Sequence, residues 1–127
     1  RKDEKDIKSK ADLKGRKVGV QIGTTSEKEA KSVAGVGEVK SYNTFVEPFM
    51  ELTFGRVDAV IVNGAVAATF VNRYPEKFAT TGEPFLFAEQ GIVIRKGEKE
   101  LKEAIDKVLK GMIEDGWIRK LREKFMI

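Results

Sequence analysis

The chain holds 127 residues with 24 Lys/Arg, 20 Asp/Glu, no cysteine and no histidine, for a formal net charge of +4. That length supports one domain with its own core. The missing residue types exclude thiol and serine–histidine catalysis, disulfides and almost every zinc arrangement.

No run approaches the roughly 18 apolar residues that cross a bilayer. The first residue is Arg1 rather than methionine, which reads as a processed or excised piece. Net charge is +4 over residues 1–17, −3 over 18–94 and +3 over 95–127. Lysines alternate with acids at helix-surface spacing, the pattern of a solvated face, so no nucleic-acid partner is expected.

Residues 1–16 are polar, and Asp12–Gly15 reads as a short turn or a helix ending ahead of a strand. Lys17–Gln21 alternates and runs into Ile22, which predicts the first strand. Ser26–Val33 is predicted helical, with Gly35 and Gly37 closing it. Glu38–Tyr42 is a second, half-exposed strand. Thr44–Phe54 is predicted as a helix, because Thr44 and Glu47 have capping-box spacing. Pro48 fits only a first turn, which moves the start toward Glu47.

Asp58–Val62 is the most apolar strand and is expected in the middle of a parallel sheet, covered on both faces. Asn63 and Gly64 open a helix that continues to about Arg73, and Pro75 stops it. Phe78–Thr81 and Gly91–Arg95 read as further strands. In the final third Leu101, Ala104, Ile105, Val108, Leu109 and Met112 form one helical stripe. Beyond Asp115-Gly116 a short helix carries Trp117, Ile118, Leu121 and Phe125. Strands alternating with helices predict an α/β fold with a doubly wound, mostly parallel sheet and a helical C-terminus.

In such a sheet ligands bind outside the carboxyl ends of the strands. Gly23-Thr24-Thr25-Ser26 follows the first strand. A helix start there presents unpaired N–H groups and a partial positive charge, suited to a carboxylate or phosphate. The plainer reading makes Thr25 or Ser26 simply an N-cap. Asn63, after a later strand, is either a cap or an amide facing the same crevice. Gln21 either points into that crevice or is solvated. The phosphate-loop pattern is absent. Asp58, Glu83 and Glu89 form no spaced pair, and no serine lies in a nucleophile elbow. No enzyme, metal or cofactor is expected.

The stretch Ala11–Ser26, ADLKGRKVGVQIGTTS, resembles the second-lobe opening of the polar amino-acid class of extracytoplasmic solute-binding proteins of ABC importers. Gly55–Val62, Gly82–Phe85 and Gly91–Gly97 follow in that family's order, and Asp115-Gly116-Trp117 through Lys124-Phe125 resembles its ending. The resemblance covers the whole chain but only part of a full member, which clamps its ligand between two lobes. It implies one lobe of a periplasmic-binding-protein-like type II fold. Within a single domain of residues 1–127, it implies a βα core over 1–94 and C-terminal helices over 95–127 that pack on the first lobe.

By position, the resemblance implies that Thr24 and Thr25, within the Gly23–Ser26 turn, offer backbone and hydroxyl donors to an α-carboxylate. It places Gln21 where side chains are read, and Asn63 where an aspartate typically holds the α-ammonium. Asparagine lacks that charge, and Gln90 replaces a frequent aromatic residue. The implied partners are an amino acid or related carboxylate, bound weakly, and an ABC permease. The implied location is extracytoplasmic. Apolar stripes over 101–112 and 117–125 imply homodimerisation as one way to cover them. A structural scaffold and a receptor sensor module are the alternatives.

Overall fold

The computed structural model describes residues 1–85 and 91–125. Contacts divide the chain into two units, Arg1–Phe87 and Ala88–Ile127. The first unit opens with a 3-10 turn, Lys10–Leu13. It continues through β1 (Lys17–Gln21), α1 (Thr25–Ser32), β2 (Glu38–Tyr42), α2 (Val46–Thr53), β3 (Ala59–Val60) and α3 (Gly64–Arg73). The second holds α4 (Lys99–Glu114) and α5 (Trp117–Phe125).

Among the described residues three strands form the sheet, all parallel, in the order β2-β1-β3. Strand β1 is therefore central. Its period of two sends Val18 and Val20 to one face, where both are completely buried with Ile7, Leu13, Ala30, Val33 and Ile61. Burying two valines is worth roughly 1.5–3 kcal/mol each. On the opposite face Phe49, Leu52, Val57 and Phe78 form a second core, with Val66, Phe70 and Tyr74 of the α3 region packed against it. The Phe49 and Phe70 rings stack there at 3.9 Å. Helices thus cover both faces, as a doubly wound sheet requires.

Three expectations change. Asp58–Val62 contributes only Ala59–Val60 as formal strand, and it pairs with β1 alone among the described residues. Flanking bonds from Asp58 N–H to Lys17 O (2.8 Å) and from Ile61 N–H to Gly19 O (3.2 Å) extend the contact. Ala59 and Ile61 pack into the first core and Val60 and Val62 against the second, so this apolar run has cover on both faces, with Ala59 and Val60 partly buried.

Phe78–Thr81 is not a strand. Phe78 is held by its ring in the second core and by its N–H bond to Tyr74 O, and Thr81 by its hydroxyl bond to Ile7 O. Residues 91–95 form no ladder among the described residues either, and extended backbone becomes sheet only with a partner. Glu89 and Gln90 lie outside the described residues.

Helix α2 reconciles its capping box with Pro48. Thr44 N–H and hydroxyl donate to Glu47 Oε2 at 2.8 and 3.1 Å, and Glu47 N–H returns to Thr44 Oγ1 at 3.4 Å. The helix begins at Val46, so Pro48 falls in the first turn, where its missing N–H costs no helical bond.

In the second unit, the expected break falls at Asp115-Gly116, with Gly116 at φ 69°. Leu101, Val108, Ile113, Trp117 and Leu121 are exposed there.

Candidate functional site

Parallel pairing brings the carboxyl ends of all three strands to one edge. The register sets Gln21 opposite Tyr42 and Gly19 opposite Val60. The Gly23–Ser26 turn after β1 and Asn63 after β3 consequently leave the sheet at the same edge, on neighbouring strands. This is the edge where open α/β sheets hold ligands.

The turn is built from local bonds. Gly23 takes φ +75°, a left-handed conformation that other residues adopt only with strain. Thr24, in extended conformation, is the N-cap of α1. Its hydroxyl donates to Gln21 O at 2.7 Å and accepts the Glu27 N–H at 3.3 Å. The cap is therefore one residue earlier than Thr25 or Ser26, the two expected from sequence. Only Thr24 combines the extended backbone with a hydroxyl within reach of the Glu27 N–H.

Glu27, absent from the sequence-derived set, completes the turn. Its Oε2 accepts the Gly23 N–H at 2.7 Å, and its Oε1 accepts from Ser41 Oγ at 2.6 Å and Lys31 Nζ at 2.8 Å. The bond from Lys31, then those from Ser41 and the Gly23 amide, lower its carboxyl from the ordinary 4.5 to about 2. The spacing Thr24-x-x-Glu27 is that of a capping box, and this signal was available in the sequence.

Two of the three hydroxyls then differ in availability. Thr24 has donated its proton within the turn. Thr25 is exposed, and neither its hydroxyl nor its N–H has an acceptor among the described residues. The Ser26 N–H is likewise unspent at the helix end, where donors point along the axis.

Asn63 is a cap: its Oδ1 accepts the Ala65 N–H at 2.8 Å. That bond fixes the amide orientation and leaves Nδ2 as a donor with no acceptor among the described residues. Gln21 is half-buried and donates to Asn43 O at 3.2 Å, bridging β1 to the end of β2 rather than standing free. Asp58 accepts the Lys17 N–H at 2.8 Å, away from this edge at the amino end of β1. The site presents hydrogen-bond donors, and the nearby Glu27 carboxylate is already satisfied by protein donors. Such an edge can hold an acceptor-rich group such as a carboxylate.

No protein-family model matches the chain. It is 37% identical over 120 residues to the L-cystine-binding protein TcyJ of Escherichia coli, a match spanning 94% of the chain and 45% of that protein. It is 34% identical to the histidine-binding periplasmic protein of Salmonella typhimurium, over 91% of the chain and 48% of that protein. The chain spans about half the length of these relatives.

Among solved structures, an ancestral arginine-binding protein bound to glutamine superposes with a TM-score of 0.78 at 46% identity. That match covers 98% of the chain and 56% of the ancestral protein. Domain 2 from TmArgBP superposes with a TM-score of 0.61 at 36% identity, covering 66% of the chain and 90% of that domain. The relatives are solute-binding proteins rather than enzymes. The chain belongs to the family of periplasmic amino-acid-binding proteins of ABC transporters, within which it corresponds to the second lobe.

Proposed function

We propose that this chain supplies the second-lobe half of an amino-acid clamp, working outside the cytoplasm with an ABC permease. Its Gly23–Ser26 turn receives the ligand carboxylate. The observation that carries the reading is the set of unspent Thr25 and Ser26 N–H groups at the same sheet edge as the Asn63 amide. Thr25 also offers a hydroxyl, Gly23 shapes the turn, Thr24 holds it, and Gln21 lines its base.

In the two-lobed protein, ligand bridging the lobes shifts them toward the closed state, and the permease recognises that state. One lobe keeps only part of the contacts but still bears the entropic cost of association. Its dissociation constant for an amino acid is therefore expected at about millimolar or weaker. The exposed apolar residues of α4 and α5 support self-association of the chain through these helices.

A second reading, a lobe that serves as scaffold and binds nothing, draws on a different observation. Glu27 already occupies the Gly23 N–H, and Asn63 Oδ1 is engaged as a cap. Titration of the backbone amides with L-arginine, L-glutamine and L-cystine separates the two readings.

A further inference from the structure

Three segments of the first unit converge on one side chain. Glu27 takes the Gly23 N–H from the turn after β1, the Ser41 hydroxyl from β2 and the Lys31 ammonium from the body of α1. Gly23 is the most permissive residue of that turn, and nothing lies within 4 Å of the position its Cβ would occupy. Sterics therefore do not hold it in place. The Thr24 hydroxyl anchors the following residue through Gln21 O and the Glu27 N–H, but it makes no bond to Gly23 itself.

We infer that Glu27 is the positioning residue of the candidate site, pinning Gly23 to β2 so that the Thr25 and Ser26 N–H groups stay directed at the ligand edge. What the pinned turn is for rests on the function proposed above; the pinning itself does not. Glu27 touches no ligand in this scheme, because its oxygens are satisfied by protein donors. An alternative role, a bare negative charge that repels anions from the helix end, makes an opposite prediction. Under repulsion, Glu27→Gln would bind a carboxylate ligand more tightly than the unmodified chain. Under positioning, Glu27→Gln keeps an acceptor for Gly23 and holds the turn nearly as the unmodified chain does, while Glu27→Ala does not.

The test uses the full chain and its Glu27→Ala, Glu27→Gln and Ser41→Ala variants. Amide hydrogen exchange at Gly23 is read against Val18 and Val20 as sheet references, and the same samples are titrated with L-arginine. Positioning predicts Gly23 exchange about tenfold faster in Glu27→Ala and severalfold faster in Ser41→Ala, with Glu27→Gln near the unmodified rate and the references unchanged. L-Arginine affinity should fall severalfold in Glu27→Ala and be restored in Glu27→Gln.

Unchanged Gly23 exchange in both Glu27→Ala and Ser41→Ala would overturn the inference, as would tighter binding by Glu27→Gln. Should Glu27→Ala also lose its sheet references, Ser41→Ala alone decides, since it deletes one hydroxyl and leaves the helix intact. Failure of the unmodified chain to bind L-arginine counts against the proposed function, and the exchange comparison still decides the role of Glu27.

Discussion

Gly19 and Pro48 are matched: a β-carbon added to Gly19 would stand 3.0 Å from Pro48 Cβ, with Tyr42 and Val57 side-chain atoms at 3.5 Å. Strand β1 gives up a side chain at this point, and α2 rests on the space. Two of these three neighbours are rigid, one a buried proline and the other a β-branched core valine. Gly19→Ala is therefore expected to destabilise the chain by about 1–3 kcal/mol through overpacking. Urea denaturation measures this, and an unchanged midpoint would show that α2 can back away without cost.

Acid sensitivity follows from Glu27. Its folded-state pKa is depressed from 4.5 to about 2 by Lys31, Ser41 and the Gly23 amide. A depressed carboxyl stabilises the fold above its unfolded value and loses that contribution as pH falls through the folded one. The stabilisation is thus complete above pH 4.5 and disappears toward pH 2. Melting temperatures of the chain and Glu27→Gln should differ most above this window and converge across it. A gap that stays constant with pH would mean Glu27 titrates normally.

Asn63 separates capping from charge. Asn63→Ala removes the acceptor of the Ala65 N–H and should cost about 1 kcal/mol. Asn63→Asp keeps an acceptor and adds a negative charge at the α3 N-terminus, favourable by about 0.3–1 kcal/mol. It also supplies a charged partner for a ligand ammonium, so L-arginine affinity should rise with it. Denaturant midpoints and a titration measure both effects. An Asn63→Asp chain as unstable as Asn63→Ala would contradict the cap geometry.

The helices of the second unit predict an oligomeric state. Leu101 and Val108 lie seven residues apart on one side of α4, and Trp117 and Leu121 lie four apart on α5, all of them exposed. Sedimentation velocity over a concentration series should show reversible self-association, weakened by Val108→Glu and Trp117→Glu. A monomer at every concentration would remove the homodimer from the account.

Much of this architecture could be read from local pattern. Strand β1 follows from alternation, α3 from Asn63 and Pro75, and the break between α4 and α5 from Asp115-Gly116. Errors fell where identity depends on a distant partner. Phe78–Thr81 and Gly91–Arg95 have strand-like composition, but composition does not supply a neighbouring ladder. The most apolar run predicts the sheet centre, whereas among the described residues pairing places β1 between β2 and β3. At the candidate site the turn itself was legible from its glycine and hydroxyls. The division of labour within it was not, because Ser41 reaches Glu27 across the sheet. Only the capping-box half of Glu27's role is a short-range signal.

The most direct measurement is an amide-resolved NMR titration of the chain with L-arginine, L-glutamine and L-cystine up to their solubility limits. Saturable shifts are expected at about millimolar ligand, confined to Gln21–Ser26 and Asn63–Ala65, with Thr25 and Ser26 moving most. A well-dispersed spectrum in which no ligand moves these amides, or in which shifts cluster elsewhere, would contradict the proposed function and leave a folded lobe acting as scaffold.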